Sequence, residues 1–169
     1  AITSVKIDGV QHEFSTMAGV KEDVITILLN LKRIRFSMIG DEPQVVTIDV
    51  KGERIVTAKD IEVGGQVEIT TPDQYICELT QKGTVFSVEM TLEKGLGYVS
   101  KENLRKEKTP IGTIALDAAF TPIRRVSYEV ENMRVGDKTD HNRLRLTIET
   151  DGTISPREAL ERSIDTMIT

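Results

Sequence analysis

The chain has 169 residues, of which 38% are hydrophobic and 29% are charged, and its 22 Lys and Arg against 27 Asp and Glu give a net charge of −5. This acidic balance argues against a dedicated nucleic-acid binder, because such proteins carry a basic surface. The apolar content excludes a disordered chain, and no run approaches the ~18 consecutive apolar residues of a membrane span.

The first predicted elements are a strand and a helix. Residues 2–7 alternate between apolar and polar side chains, which predicts a strand. Glu22 and Asp23 are expected in the first turn of the helix that follows, and Lys32 and Arg33 at its end, where their charges complement the helix dipole. The apolar residues that recur at helical spacing are Val20, Val24, Ile27, Leu28 and Leu31.

Most of the remaining chain is predicted to form strands. The clearest is residues 85–93, where apolar and polar side chains alternate strictly, as in a half-buried antiparallel strand. The same alternation occurs at residues 126–130 and 144–148. Residues 57–60 are a candidate for one short helical turn. Weaker strand candidates are residues 45–50, 67–69, 75–79 and 114–120.

A second helix is predicted at the end of the chain. Ser155 is a good N-cap, Pro156 suits the first helical position, and Glu158 completes a capping box. The predicted apolar face of this helix consists of Leu160, Ile164, Met167 and Ile168.

The organisation is that of an α+β protein with mostly antiparallel strands and two main helices. Residues 94–109 are polar and charged and are expected to form a long exposed loop. Thr121 and Pro122 mark a candidate domain boundary. The sequence opens directly in a strand pattern at Ala1 and stops in a helical pattern at Thr169, so we expect sequence to be missing at both ends.

No constellation of residues predicts catalysis, a metal site or a cofactor. Cys77 has apolar neighbours, so we expect a buried structural thiol in a reduced, cytosolic protein. His12 and His141 are isolated from other candidate ligands and are interpreted as surface or hydrogen-bonding residues. Gly95 and Gly97 are interpreted as turn or bulge residues, since the third glycine or the Lys-Ser/Thr pair of a phosphate loop is missing.

Several motifs, in order along the chain, resemble the N-terminal domain of the bacterial-type RNA polymerase alpha subunit. In the first part of the chain these are IDGV at 7–10, HEFST at 12–16, GVKED at 19–23 and LLNLK at 28–32. Further motifs are KGLGYV at 94–99, PIG at 110–112, DAAFTP at 117–122, RRV at 124–126, RVG at 134–136, TDGT at 150–153 and PREA at 156–159.

The resemblance implies two folded parts. Residues 1–121 would be the inserted α+β domain of the alpha subunit, and residues 122–169 would be the C-terminal part of its dimerisation domain. The N-terminal part of that dimerisation domain is absent from the sequence. The linker and the DNA-binding C-terminal domain of the family are also absent, so no direct binding to nucleic acid or to a membrane is expected of these residues.

The implied function is assembly of DNA-directed RNA polymerase in the cytoplasm. In the family, two alpha subunits form a dimer and then recruit the beta and beta-prime subunits, which hold the catalytic site of this nucleotidyltransferase. The resemblance therefore implies no catalytic group here. It assigns contacts with the large subunits to Asn30, Leu31, Lys32, Ala115, Leu116 and Asp117. We expect the dimer contact at Leu160, Ile164, Met167 and Ile168.

Two other functions stay open at the level of sequence: a stand-alone β-rich protein-binding module, and an enzyme with an unrecognised site.

One regulatory feature of the family is not carried over. Some members bear an acidic run before the PIG motif that receives a transcription activator, whereas residues 103–109 here are predominantly basic. A positively charged activator surface would not be attracted to such a loop.

Overall fold

A computed structural model describes residues 1–104 and 110–169 of the chain. Its backbone separates into two units, residues 1–121 and 122–169. Mostly antiparallel strands and a few helices form these units, which confirms the predicted α+β class. In the described part of the chain, no helix is both long and apolar enough to cross a lipid bilayer.

In its described residues, the first unit combines short strands with two helices and a 3-10 turn at Ala58–Asp60. Its helices are α1 (Val24–Lys32) and α2 (Lys101–Leu104). Its strands are β1 (Ile2–Ile7), β2 (Phe36–Met38), β3 (Gln44–Lys51), β4 (Arg54–Thr57), β5 (Ile61–Glu62), β6 (Val67–Ile69), β7 (Tyr75–Leu79), β8 (Val85–Leu92), β9 (Tyr98–Val99), β10 (Thr113–Ala115) and β11 (Ala118–Ala119).

The main sheet of this unit has five antiparallel strands in the order β10-β1-β8-β3-β5. The predicted alternation of residues 85–93 is confirmed, since Phe86, Val88, Met90 and Leu92 are all buried in β8. Because β8 lies at the centre, its apolar side chains form the middle of the core. Smaller sheets pair β11 with β9, β2 with β6 and β4 with β7.

Helix α1 covers the core with Val24, Ile27, Leu28 and Leu31, and it contacts β7 and β1. Full burial of an aliphatic side chain of this size contributes about 1.5–3 kcal/mol, so this face anchors the helix. The predicted start of α1 is wrong. The helix begins at Val24 because the side chain of Asp23 caps it, accepting a hydrogen bond from the N–H of Thr26 at 2.8 Å.

Two further expectations for the first unit need correction. Residues 94–109 do not form one long loop, because they contain β9 and the short helix α2. Residues 105–109 lie outside the described part of the chain, and so does most of the basic segment 103–109. Residues 114–120 are not one strand but two, since the extended backbone is interrupted between β10 and β11.

Gly95 has a packing role that supports its interpretation as a structural glycine. A Cβ atom at this position would lie 2.7 Å from the ring of Phe120, so only glycine leaves room for the aromatic side chain. Gly97 adopts a φ of +65°, which glycine adopts readily, and its carbonyl accepts from the N–H of Phe120 at 2.8 Å. The two glycines therefore fix the approach to β9.

The second unit consists of a long hairpin and a helix: β12 (Ile123–Val135), β13 (Lys138–Thr150) and α3 (Pro156–Ile168). Gly136, with a φ of +61°, begins the two-residue turn, as the twist of a tight hairpin requires. The predicted start of α3 is confirmed. Ser155 caps it by accepting from the N–H of Glu158 at 3.2 Å, and Pro156 is its first residue.

The hairpin has one apolar and one charged face, as its alternation predicts. The cross-strand apolar pairs are Val126 with Ile148, Tyr128 with Leu146, and Val130 with Leu144. Pairs of opposite charge on the other face are Arg125 with Glu149, Glu129 with Arg145, and Glu131 with Arg143. Such cross-strand pairs are the main stabilising contacts of a two-stranded sheet.

Candidate functional site

A surface groove in the first unit, which we call the β10 groove, is the candidate interaction site. It lies beside strand β10 and helix α1 and has a volume of about 230 Å³. Its lining residues come from four separate segments of the chain: Glu13, Phe14, Ile25, Leu28, Leu29, Lys32, Lys101, Ile114, Ala115, Leu116 and Asp117.

The floor of the β10 groove is apolar and its rim is partly exposed. Leu28, Ile114 and Leu116 are buried and support the groove from the core side. Phe14 and Leu29 are large apolar residues that stay exposed at the rim. Exposed apolar side chains around an apolar floor are typical of a protein–protein contact.

Asp117 lines the β10 groove and is hydrogen-bonded to the main chain. Its Oδ1 atom accepts from the backbone N–H of Lys101 at 2.8 Å. This hydrogen bond, followed by the nearby ammonium groups of Lys32 and Lys101 and the hydroxyl of Tyr98, lowers the pKa of Asp117 below its usual value. Asp117 is therefore an anion that is already satisfied by groups of its own chain.

In the described part of the chain, Lys32 forms no close ion pair, although its ammonium is near enough to Asp117 to lower the pKa of that carboxyl. It is half-buried at the end of α1, and among the described residues no carboxylate oxygen lies within 4.0 Å of its ammonium nitrogen. Lys101 is only loosely paired, with its ammonium 3.8 Å from a carboxylate oxygen of Glu13. The β10 groove thus combines an apolar floor with charges of both signs, from Lys32 and Lys101 and from Glu13 and Asp117.

Four of the six residues assigned to large-subunit contacts lie together in the β10 groove: Lys32, Ala115, Leu116 and Asp117. The other two do not line it. Leu31 is fully buried in the core. The amide of Asn30 donates to the main-chain oxygen of Ile76 at 2.9 Å.

The sequence interpretation missed Ile25, Leu29, Phe14 and Lys101 as groove residues. A signal existed for the first two, since Ile25 and Leu29 are four residues apart on α1 and form a second apolar stripe beside the core-facing one. Phe14 and Lys101 carried no such signal. They come from irregular or very short segments that tertiary contacts bring to the groove.

The second unit offers another apolar surface, the α3 face, which consists of Leu160, Ile164, Met167 and Ile168. Met167 and Ile168 are 77% and 78% exposed, and Leu160 and Ile164 are only partly covered. Leu160 also contributes to a cavity of about 150 Å³ against the apolar side of the hairpin. This exposure agrees with the expectation that the α3 face is not fully buried within these residues.

The cysteine and the two histidines of the chain lie in surroundings that do not indicate catalysis. Cys77 is fully buried and free, and burial raises the pKa of its thiol to about 12, which confirms a structural thiol. His12 accepts a hydrogen bond at Nδ1 from the N–H of Phe14, and His141 is exposed. Within residues 1–104 and 110–169, no three His, Cys, Asp or Glu side chains are grouped to hold a metal ion.

Comparison with known proteins adds independent information. Residues 5–121 match the family model described as the RNA polymerase Rpb3/RpoA insert domain. The chain is 50% identical over 160 residues to the DNA-directed RNA polymerase subunit alpha of Alkaliphilus oremlandii, covering 95% of this chain and 50% of that protein. It is 48% identical over 168 residues to the subunit alpha of Moorella thermoacetica, covering 99% of this chain and 53% of that protein.

A third relative is the subunit alpha of Carboxydothermus hydrogenoformans, which is 45% identical over 168 residues, or 99% of this chain and 53% of that protein. These similarities confirm the resemblance recognised from the motifs. The chain spans about half the length of the curated relatives it matches.

Proposed function

Because the chain belongs to the RNA polymerase Rpb3/RpoA insert domain family, we propose that it is an assembly scaffold of a bacterial DNA-directed RNA polymerase. In this proposal alpha subunits form a dimer and recruit the beta and beta-prime subunits. The β10 groove is the observation that carries the proposal. It brings Lys32 of α1 together with Ala115, Leu116 and Asp117, a segment much later in the chain that is assigned to the same contacts.

The two units have separate tasks in this scheme. Residues 1–121 act as the insert domain and present the β10 groove to a large subunit. Residues 122–169 act as the C-terminal part of the dimerisation domain. Two observations support this division. The first structural unit ends at residue 121, and the match to the family model ends at the same residue.

The dimer contact is assigned to the α3 face. Apolar groups as exposed as Met167 and Ile168 gain free energy when a partner removes them from water. The neighbouring hairpin continues this apolar surface with Tyr128 and Val130, which are also exposed. A second alpha chain that covers the α3 face and this side of the hairpin therefore suits the chemistry of the surface.

The proposal gives the chain no reacting group, and the nucleotidyltransferase chemistry belongs to the large subunits. Neither alternative function is favoured. An enzyme would need converging ionisable groups with a perturbed pKa in a pocket, whereas Asp117 in the β10 groove is already satisfied by its neighbours. The buried free thiol of Cys77 suits the reducing cytoplasm, where we place the protein.

Size-exclusion chromatography tests the proposal. The chain is mixed with the beta subunit of the same bacterium and, separately, with beta and beta-prime together. We expect the chain to elute with the large subunits. Elution of the chain alone at its own volume in both mixtures would contradict a role in polymerase assembly.

A further inference from the structure

Strand β7 has a neighbouring strand on one side only. It pairs with β4, and within residues 1–104 and 110–169 no other strand pairs with it. The main-chain groups of its other edge still need partners, because native proteins leave few buried N–H and C=O groups unpaired. An uncovered edge also pairs readily with strands of other molecules, so natural sheets usually cover it. The residues that cover this edge of β7 therefore protect the sheet.

Residues 19–22, which we call the strap, lie along this edge shortly before α1 and form neither a helix nor a strand. Val20 makes an isolated antiparallel bridge with Leu79 of β7. The N–H of Lys21 donates to the main-chain oxygen of Glu78 at 3.0 Å, and the two side chains form an ion pair at 3.1 Å. The strap thus takes the place of a neighbouring strand over a short distance.

Gly19 fixes the first end of the strap. Its main-chain oxygen accepts from the N–H of Thr80 at 2.9 Å, which extends the pairing with the end of β7. A Cβ atom at Gly19 would overlap the hydroxyl of Thr84. This end of the strap therefore requires glycine, because any side chain would push the backbone away from β7.

The carboxylate of Glu22 fixes the other end of the strap. In a continued antiparallel ladder, the N–H of Glu78 would donate to the main-chain oxygen of Lys21. Instead that N–H donates to the Oε2 atom of Glu22 at 2.9 Å, and the hydroxyl of Tyr75 donates to Oε1. One side chain therefore replaces a main-chain acceptor at the point where the chain leaves β7 to begin α1.

The strap is attached more weakly than the strands of the main sheet. None of its four residues is buried, whereas the apolar side chains of β8 are fully buried. Segments with few buried apolar contacts and exposed hydrogen bonds open locally, at a lower free energy than global unfolding requires. The strap can therefore detach from β7 while the main sheet stays folded.

We propose that the strap is a closing device, which covers the free edge of β7, is held closed by Glu22 and opens without unfolding of the main sheet. The device belongs to the first unit alone and does not depend on assembly with other subunits. Loss of the Glu22 carboxylate removes the acceptor of two donors, the N–H of Glu78 and the hydroxyl of Tyr75. The open state then becomes more populated.

Native-state hydrogen exchange of the chain tests the opening. The two strap amides, Lys21 and Thr80, are compared with Val88, a reference amide at the centre of the main sheet. Low concentrations of urea should speed exchange at Val88, which needs global unfolding, and leave the two strap amides nearly unchanged. An equal dependence on urea at all three amides would overturn the inference, since the strap would then open only together with the core.

Substitution of Glu22 tests how the strap is held closed. Glu22→Ala should speed exchange of the two strap amides at least about tenfold more than that of Val88. Glu22→Gln, which keeps one acceptor oxygen, should give a smaller effect, and Glu53→Ala, which removes an exposed carboxylate, should give none. If Glu22→Ala changes the strap amides and Val88 by the same factor, or changes neither, Glu22 does not hold the strap closed.

The other end of the strap provides an independent variant. Gly19→Ala should also speed exchange of the two strap amides at least about tenfold more than that of Val88. Gly64→Ala is the matched control, because a Cβ atom there meets no other atom within 4 Å, and it should leave the strap amides unchanged. Equal strap exchange in Gly19→Ala and Gly64→Ala would contradict a strap that is fixed at Gly19.

Discussion

The side-chain amide of Asn30 and the main-chain oxygen of Ile76 are joined by a hydrogen bond of 2.9 Å. This bond ties the last turn of α1 to strand β7. The residue after Asn30, Leu31, is fully buried in the core. Asn30 therefore holds the helix in place, while Lys32, two residues further on, lines the β10 groove. Two residues of the same motif thus have different tasks.

The bond between Asn30 and Ile76 predicts a loss of stability without a loss of docking. Asn30→Ala leaves the carbonyl of Ile76 without its partner, which costs about 1–3 kcal/mol of unfolding free energy. Urea denaturation measures this loss, and Gln81→Ala, which truncates an exposed amide side chain, is the control. Affinity for the beta subunit should stay within about threefold. Unchanged stability in Asn30→Ala would show that the bond contributes nothing.

The buried thiol predicts a dependence of stability on pH. Burial, assisted by the Glu22 and Asp60 carboxylates, raises the pKa of Cys77 from 9.0 to about 12. Between these values the folded chain keeps a proton that the unfolded chain releases. The stabilisation is fully present below pH 9.0 and is lost as the pH rises towards 12.

Urea denaturation from pH 7 to pH 10.5 checks this slope, with Cys77→Ala as the matched variant. Tyr75 contributes a slope of the same sign in both chains, since burial and its hydrogen bond to Glu22 raise the pKa of its hydroxyl. We expect the unmodified chain to lose more stability than Cys77→Ala above pH 9.0. Parallel curves for the two chains would contradict a protonated buried thiol.

The α3 face predicts that a single charge disrupts the dimer. Ile164→Asp places a carboxylate in the proposed apolar contact, which costs several kcal/mol when the charge is unpaired. Thr166→Asp adds the same charge on the opposite side of α3 and is the control, since Thr166 is exposed. Sedimentation of a full-length alpha subunit that carries these changes should show a monomer for Ile164→Asp and a dimer for Thr166→Asp. A dimer of unchanged affinity in Ile164→Asp would remove α3 from the interface.

The sequence predicts those parts of the fold that depend on neighbouring residues, and it predicts less well those parts that depend on contacts between distant segments. The strict alternation of β8 and the cap of α3 at Ser155 are properties of neighbouring residues, and both predictions are confirmed. The start of α1 is only partly local, because the Asp23 cap is made with Thr26 of the helix itself, whereas Glu22, just before the helix, is held by distant residues. Glu22 accepts hydrogen bonds from the hydroxyl of Tyr75 and the N–H of Glu78, contacts made with the distant strand β7.

The sequence likewise predicts some residues of the candidate site but not their arrangement. Lys32 and Asp117 could be proposed because their motifs resemble those of a known family. Their joint position in one groove depends on the pairing of β10 with β1 and on the packing of α1 against the sheet. Lys101 was expected in an exposed loop, and its hydrogen bond to Asp117 depends on α2, which no periodic pattern predicts.

Assembly through the β10 groove is tested most directly by the affinity of the beta subunit for two matched variants. Leu29→Asp changes a residue of the groove that is 54% exposed, and Ile55→Asp changes a residue of β4 that is 56% exposed and lies outside the groove. We expect Leu29→Asp to weaken binding at least about tenfold, or ~1.4 kcal/mol, and Ile55→Asp to bind as the unmodified chain does. Equal affinity of Leu29→Asp and the unmodified chain would contradict docking at the β10 groove.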